Sequence, residues 1–118
     1  MSRGGWTDRE PDSSAILSAL GNKYSAEILA AAGTPKSAQA LSEEIGIPIA
    51  TCYRRIEDLV DAGLLECEGR KLSAEGRRTN IYRRTVDEME IDFCGDGPRL
   101  SKKPRTEART RLEEQRLG

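Results

Sequence analysis

A small α+β domain, helices first and a β-hairpin after them, is the architecture this sequence predicts. Three observations carry it. Residues Ser37 to Leu65 hold two helix-period segments joined by the short break Gly46-Ile47-Pro48. Two further helix-period segments precede them, and from Leu64 the period changes to extended runs rich in arginine. Two helices on a tight glycine-containing turn, the second with outward cations near its start, have the pattern of a helix-turn-helix. The basic hairpin behind them supplies a wing.

In chain order, the first helix starts at Ser13 or Ser14, whose hydroxyls can accept an orphan backbone N–H. Ile16, Leu17 and Leu20 give it an apolar stripe, and Gly21 ends it. Asn22 is the expected N-cap of a second helix, with Tyr24, Ile28, Leu29 and Ala32 inward and Gly33 closing it. Thr34-Pro35-Lys36 is a turn, because Pro35 disfavours helix at the residue before it. Ser37 caps the third helix, which turns Ala38, Leu41 and Ile45 inward and Glu43 and Glu44 to solvent. Gly46 suits the left-handed position after that helix. Pro48 fits the first turn of the fourth, where its missing N–H loses nothing. Cys52, Ile56, Leu59 and Val60 form the core stripe of the fourth helix. At about 100° per residue, the opposite face carries Ala50, Arg54, Asp58 and Asp61, with Thr51 and Tyr53 nearer the flanks.

Leu64 to Arg70 and Ile81 to Val86 are the expected strands of the wing, with Lys71 to Asn80 as a long polar loop between them. The hairpin is dense in cations: Arg70, Lys71, Arg77, Arg78, Arg83 and Arg84. Val86 to Phe93 then alternates, placing Met89, Ile91 and Phe93 on one face and acidic residues on the other. It is expected to be a third strand, or an extended segment packing against the domain or a second subunit. Gly95-Asp96-Gly97-Pro98 breaks the order. The chain thus divides into a disordered lead over 1–12, a winged helix-turn-helix domain over 13–94 and a charged flexible tail over 95–118.

At 118 residues, one domain with a modest core is the natural expectation. The net charge is −1, so any nucleic-acid role has to rest on where the charges sit and not on their sum. There is no apolar run of membrane-spanning length and no signal-peptide pattern at Met1-Ser2-Arg3-Gly4-Gly5, so the expected location is cytoplasmic. Cys52, Cys67 and Cys94 are odd in number and far apart, and the chain has no histidine. No metal site and no cofactor are expected from such a set. The cysteines are expected to be reduced, Cys52 in the core and Cys67 on a strand, with a redox role for Cys94 left open. No base–nucleophile pair or phosphate loop is recognisable, so an enzyme is not expected. Arginine greatly outnumbers lysine among frequent acidic residues, a balance compatible with a halophilic source or a high-GC genome.

The fourth helix contains Thr51-Cys52-Tyr53-Arg54-Arg55, which reads T-x-Y-R-R. Ahead of it stand Ile16-Leu17-Ser18-Ala19-Leu20-Gly21 and Ala26-Glu27-Ile28-Leu29. With these residues, the stretch from Ala19 through Val86 resembles the winged helix-turn-helix of the ArsR-like transcriptional regulators, in particular their short archaeal members. The resemblance implies a DNA-reading recognition helix, a wing and a homodimer. Two departures stand out: Pro48 lies where a serine is common at the start of the recognition helix, and Leu41-Ser42-Glu43-Glu44-Ile45 carries no cysteine. The resemblance therefore implies neither arsenic nor metal sensing.

The expected function is sequence-specific binding of double-stranded DNA by a transcriptional regulator. Ile49, Ala50, Thr51, Tyr53, Arg54 and Arg55 are the expected contacts from the recognition helix, and Arg70, Lys71, Arg77, Arg78, Thr79 and Asn80 those from the wing. Arg54, pointing away from the core, suits a bidentate contact to guanine, while Tyr53 and Arg55 on the flanks suit phosphate. A palindromic site read by a homodimer would supply the specificity one helix lacks. Ile16 and Leu20, or Met89, Ile91 and Phe93, are the candidate interface residues. A winged-helix module that docks another protein without reading DNA is the competing expectation, in which the arginines are a solvated face paired with Glu57, Asp58 and Asp61.

Overall fold

The computed structural model describes residues 13–72 and 76–105. The expected lead over 1–12 and the last part of the expected tail, 106–118, lie outside the described residues. In order, the elements are α1 (Ser13–Gly21), α2 (Ser25–Ala31), β1 (Lys36–Ser37), α3 (Ala38–Ile45), α4 (Ile49–Asp61), β2 (Leu65–Leu72), β3 (Arg78–Arg84), β4 (Val86–Asp92) and β5 (Arg99–Pro104). They fall into two compact units that divide after Thr85, one running Asp12–Thr85 and the other containing β4 and β5. The division lies ahead of the boundary expected after residue 94, because β4 takes its strand partner from beyond that point.

In the first unit, α4 is the central element and packs against α1, α2, α3 and β2. Its buried stripe is Cys52, Ile56 and Leu59, spaced four and three residues apart as one helix face requires. Val60, expected in that stripe, is exposed. It lies about 100° around the helix from Leu59, beyond the edge of the buried face. Ile16, Ile28, Leu41, Leu64 and Leu65 complete most of the core around α4.

The helix boundaries have identifiable chemical causes. Ser37 is the N-cap of α3, and its hydroxyl accepts from the Ala40 N–H at 3.1 Å. Gly46 ends α3 at φ 78°, a conformation in which a Cβ would meet the following carbonyl. Ser42 occupies a buried place where Ile45, only half-buried, had been expected. Its hydroxyl donates to the Ile47 carbonyl at 2.5 Å, and the Gly46 and Ile47 N–H groups both donate to the Ser42 carbonyl. One short polar side chain thus ties the turn between the two helices. At the far end of α4, Gly63 is left-handed (φ 79°) and its N–H donates to the Val60 carbonyl, while the Leu64 N–H donates to that of Leu59. This is the Schellman pattern, and Leu59 and Leu64 bury their side chains beside it. Removing the α3 cap by Ser37→Ala is expected to cost about 0.5–2 kcal/mol, read as a lower urea midpoint with an unchanged slope.

The second helix begins differently from expectation. Asn22 is not its cap. The chain makes a turn in which the Ser25 N–H donates to the Asn22 carbonyl, and α2 starts after Tyr24, which holds φ 75°. The Asn22 side chain instead donates to Asp58 on α4 at 3.2 Å. Tyr24, expected on the buried face, is consequently only half-buried, with the Lys23 ammonium over its ring. The two-residue strand β1 was not expected from sequence. It pairs with β3 at Lys36↔Tyr82 and Ser37↔Ile81, making a three-stranded antiparallel sheet of order β1-β3-β2.

The wing strands run further than their sequence signals. The loop expected over 71–80 is shorter, because Lys71 and Leu72 belong to β2 and Arg78, Thr79 and Asn80 to β3, paired Arg70↔Asn80, Lys71↔Thr79 and Leu72↔Arg78. A bulge between Cys67 and Gly69 shifts the register and breaks the simple alternation that marks a strand. Arg84, at the end of β3, turns back to α2 and donates to the carbonyls of Leu29 (3.1 Å) and Ala30 (3.5 Å). It satisfies the C-terminal carbonyls of a helix that ends without a basic residue of its own.

In the second unit, β4 and β5 form an antiparallel hairpin. The expected flexible tail is therefore corrected over Arg99–Pro104, which is strand. Arg99-Leu100-Ser101-Lys102-Lys103-Pro104 has too little apolar alternation to declare itself. Its partner supplies the reason for order: Asp92 faces Arg99 and Glu88 faces Lys103, with the latter pair at 3.8 Å. Among the described residues, no helix is long and apolar enough to cross a membrane.

Candidate functional site

The solvent face of α4 is organised by the position of the core stripe on the other side. Ala50, Arg54, Glu57 and Asp61 are all exposed. Arg54 makes no hydrogen bond or ion pair with another described residue, so its guanidinium is available in full. Charge changes sign along this face, with Arg54 in the first half and Glu57 and Asp61 in the second. An anionic ligand is therefore attracted to the beginning of the helix and repelled from its end.

Ile49 and Tyr53 lie one turn apart on the flank of the same helix, 40% and 50% exposed. Thr51 is half-buried. Arg55, expected as a flanking phosphate contact, is held differently. Its guanidinium donates to the Asp58 carboxylate at 2.9 Å, and its side chain is only 19% exposed. The same carboxylate oxygen accepts from Asn22, so Asp58 joins the α1–α2 turn to α4. Asp58 was expected on the open face. It lies toward the flank and is half-buried, because the turn before α2 comes up against it.

The wing approaches α4 along Tyr53. A polar cleft between them is lined by Tyr53, Arg70, Arg78, Thr79, Asn80 and Tyr82, with Ala38 at its back. Five of these had been singled out in the sequence as DNA contacts, one from the recognition helix and four from the wing. The cross-strand pair Arg70↔Asn80 is locked by a hydrogen bond from Arg70 Nε to Asn80 Oδ1 at 3.2 Å, which fixes the guanidinium at the cleft rim. Lys71 and Arg77 are exposed outside the cleft, farther toward the wing tip. Tyr82 was missed in the sequence. The available signal was the alternation Arg78, Asn80, Tyr82, which assigns the three to one side of β3.

Two of the remaining wing arginines have structural duties. Arg84 caps α2, and Arg83 lies 3.8 Å from Glu68, the residue at the bulge. Arg70, Lys71, Arg77 and Arg78 are exposed, whereas Arg83 and Arg84 are half-buried. Of the candidate interface residues, Ile16 is buried in the protomer and has no surface to offer a second subunit. Leu20 and Met89 are half-buried, while Ile91 and Phe93 are exposed, Phe93 at 74%.

The cysteines divide by burial. The Cys52 thiol donates to the Ala38 carbonyl at 3.5 Å inside the helix-turn-helix, and burial pushes its pKa up, away from the reactive thiolate. Cys67 and Cys94 are exposed free thiols. Iodoacetamide applied to the folded protein is expected to alkylate Cys67 and Cys94 and to spare Cys52, as peptide mass spectrometry would show.

A family model described as a helix-turn-helix domain matches residues 10–68. The match takes in all four helices and the first part of β2, and so includes Arg54 and the whole of its helix. No curated protein matches the chain.

Proposed function

This chain belongs to the helix-turn-helix domain family, and we propose that within it the protein is a sequence-specific DNA-binding transcriptional regulator of the ArsR-like winged type, acting in the cytoplasm as a homodimer without metal or cofactor. One observation carries the proposal: the free guanidinium of Arg54 projects from the face of α4 opposite the core, and the wing brings Arg70 and Arg78 to the cleft beside that same helix. A helix of this diameter fits the major groove of B-DNA, with the wing cations beside it at the backbone or the adjacent minor groove. The near-zero net charge is no obstacle, since the anions Glu57 and Asp61 lie in the second half of the helix, beyond Arg54. The run Thr51-Cys52-Tyr53-Arg54-Arg55 resembles the pattern of the short archaeal ArsR-like members and supports that reading.

Fluorescence anisotropy on duplex DNA across a salt series tests the proposal. Binding should weaken steeply as salt rises, because phosphate-bound cations are released to bulk. No measurable binding to any duplex at low salt would favour docking of another protein instead. Arg78→Ala is expected to weaken specific and random duplexes by similar factors and to reduce the salt slope by about 1, the signature of a lost phosphate contact. The homodimer has its own measurement, sedimentation velocity at micromolar concentration. Ile91 and Phe93 are the exposed apolar candidates for its interface, and Phe93→Ser should shift a dimer toward monomer.

A further inference from the structure

The leading turn of α4 is apolar where a groove-reading surface would ordinarily be polar. Ile47-Pro48-Ile49-Ala50 contains two isoleucines with opposite fates. Ile47 is buried, while Ile49 is 40% exposed and Ala50 is open to solvent beside it. Ile47 is taken up by the core, whereas Ile49 lies at the edge of the buried stripe and keeps a large part of its side chain open to solvent. Local structure does not require an isoleucine there, because a β-branched residue is a mediocre helix former at a first turn. What remains is a branched aliphatic side chain at the tip of the helix, one turn from Tyr53, on the flank between the core stripe and the open face.

We propose that Ile49 reads the 5-methyl group of a thymine in the major groove, with Ala50 small enough to let the helix backbone come close. The inference rests on the DNA-reading role proposed above and adds a base identity to it. Of the groups a base pair displays in the major groove, the thymine methyl is the apolar one, so it is the one that an exposed isoleucine can recognise. The surroundings fit a nucleic acid and not an apolar protein surface: Arg54 is on the same helix, and the cations Arg70 and Arg78 line the cleft beside Tyr53. Ile49 and Arg54 are five residues apart, about 7.5 Å along the helix axis. At about 3.4 Å per base pair, the thymine should lie within about three base pairs of the guanine that Arg54 reads.

The test begins by selecting duplexes from a random library with the full chain. Each thymine of the enriched duplex is then replaced in turn by deoxyuridine, which removes the methyl and leaves every hydrogen-bonding group in place. Wild type is expected to lose about three- to fivefold in affinity at one such position, the scale of a single buried methyl. Ile49→Ala should bind the thymine and deoxyuridine duplexes equally, while its thermal melt, for an exposed position, stays close to wild type. An enriched duplex that is insensitive to deoxyuridine throughout, or an Ile49→Ala variant that keeps the full penalty, would overturn the inference and leave DNA binding intact. Failure to enrich any sequence would instead overturn specific DNA reading, and this inference with it.

Discussion

Leu59→Ala is expected to cost about 2–5 kcal/mol of stability, a large share of the roughly 5–15 kcal/mol that holds a domain folded. Leu59 is fully buried on the one helix that touches α1, α2, α3 and β2 at once, so a cavity there is lined from several sides. Its carbonyl also accepts the Leu64 N–H that closes the C-terminus of α4, where the buried Leu64 side chain lies next to the new void. Few neighbours can move to fill it without opening that turn. The adjacent residue supplies the control. Val60 sits one position on, exposed beyond the edge of the core stripe, and Val60→Ala should stay within about 0.5 kcal/mol of wild type. Urea denaturation followed by far-UV circular dichroism separates the two. Equal losses would mean that α4 is not oriented as described.

The contrast between Leu59 and Val60 also shows what could be read from sequence. The stripe Cys52, Ile56, Leu59 is legible because an amphipathic helix repeats its apolar residues at a fixed period. The same is true of the Ser37 cap and the Gly46 turn, since both depend on chemistry contained within a few neighbouring residues. What sequence did not disclose depends on partners far along the chain. Asn22 looks like a cap until Asp58, distant in sequence, takes its amide. Arg84 looks like another wing cation until it is seen to cap α2, and Arg55 like a phosphate contact until Asp58 holds it. Residues 99–104 look like tail until the acidic strand β4 sets Asp92 against Arg99 and Glu88 against Lys103. Cations were the easiest residues to find and the hardest to assign, because a guanidinium can bond a carbonyl, a carboxylate or a phosphate.

That assignment bears directly on how the protein would meet DNA. Arg55, Arg83 and Arg84 are half-buried in internal contacts, whereas Arg54 on the helix and Arg70, Lys71, Arg77 and Arg78 on the wing are exposed at the surface. Glu57 and Asp61 occupy the solvent face of α4 beyond Arg54. A duplex lying flat along the whole helix would bring phosphates against both carboxylates. Entry of the helix by its first two turns, with its end tilted away from the groove, avoids that repulsion and presents Ile49, Ala50 and Arg54 together.

Arg54→Ala is accordingly expected to weaken binding to the selected operator by about 1–3 kcal/mol per lost base contact, roughly 5- to 150-fold, and to relax the preference for the base that Arg54 reads. Its effect should differ in kind from that of Arg78→Ala. A side chain that bonds a base edge loses affinity only where the right base is present, so the random duplex should be affected far less than the operator. Stability should be nearly unchanged, because Arg54 is exposed and bonds no other described residue. Arg54→Lys sharpens the test. It keeps the charge but loses the planar fork, so a bidentate contact to guanine would be lost with the phosphate attraction retained. Lysine at this position should therefore bind the random duplex like wild type and the operator almost as poorly as alanine. Equal losses on both duplexes for Arg54→Ala, with full rescue by lysine, would reassign Arg54 to the DNA backbone.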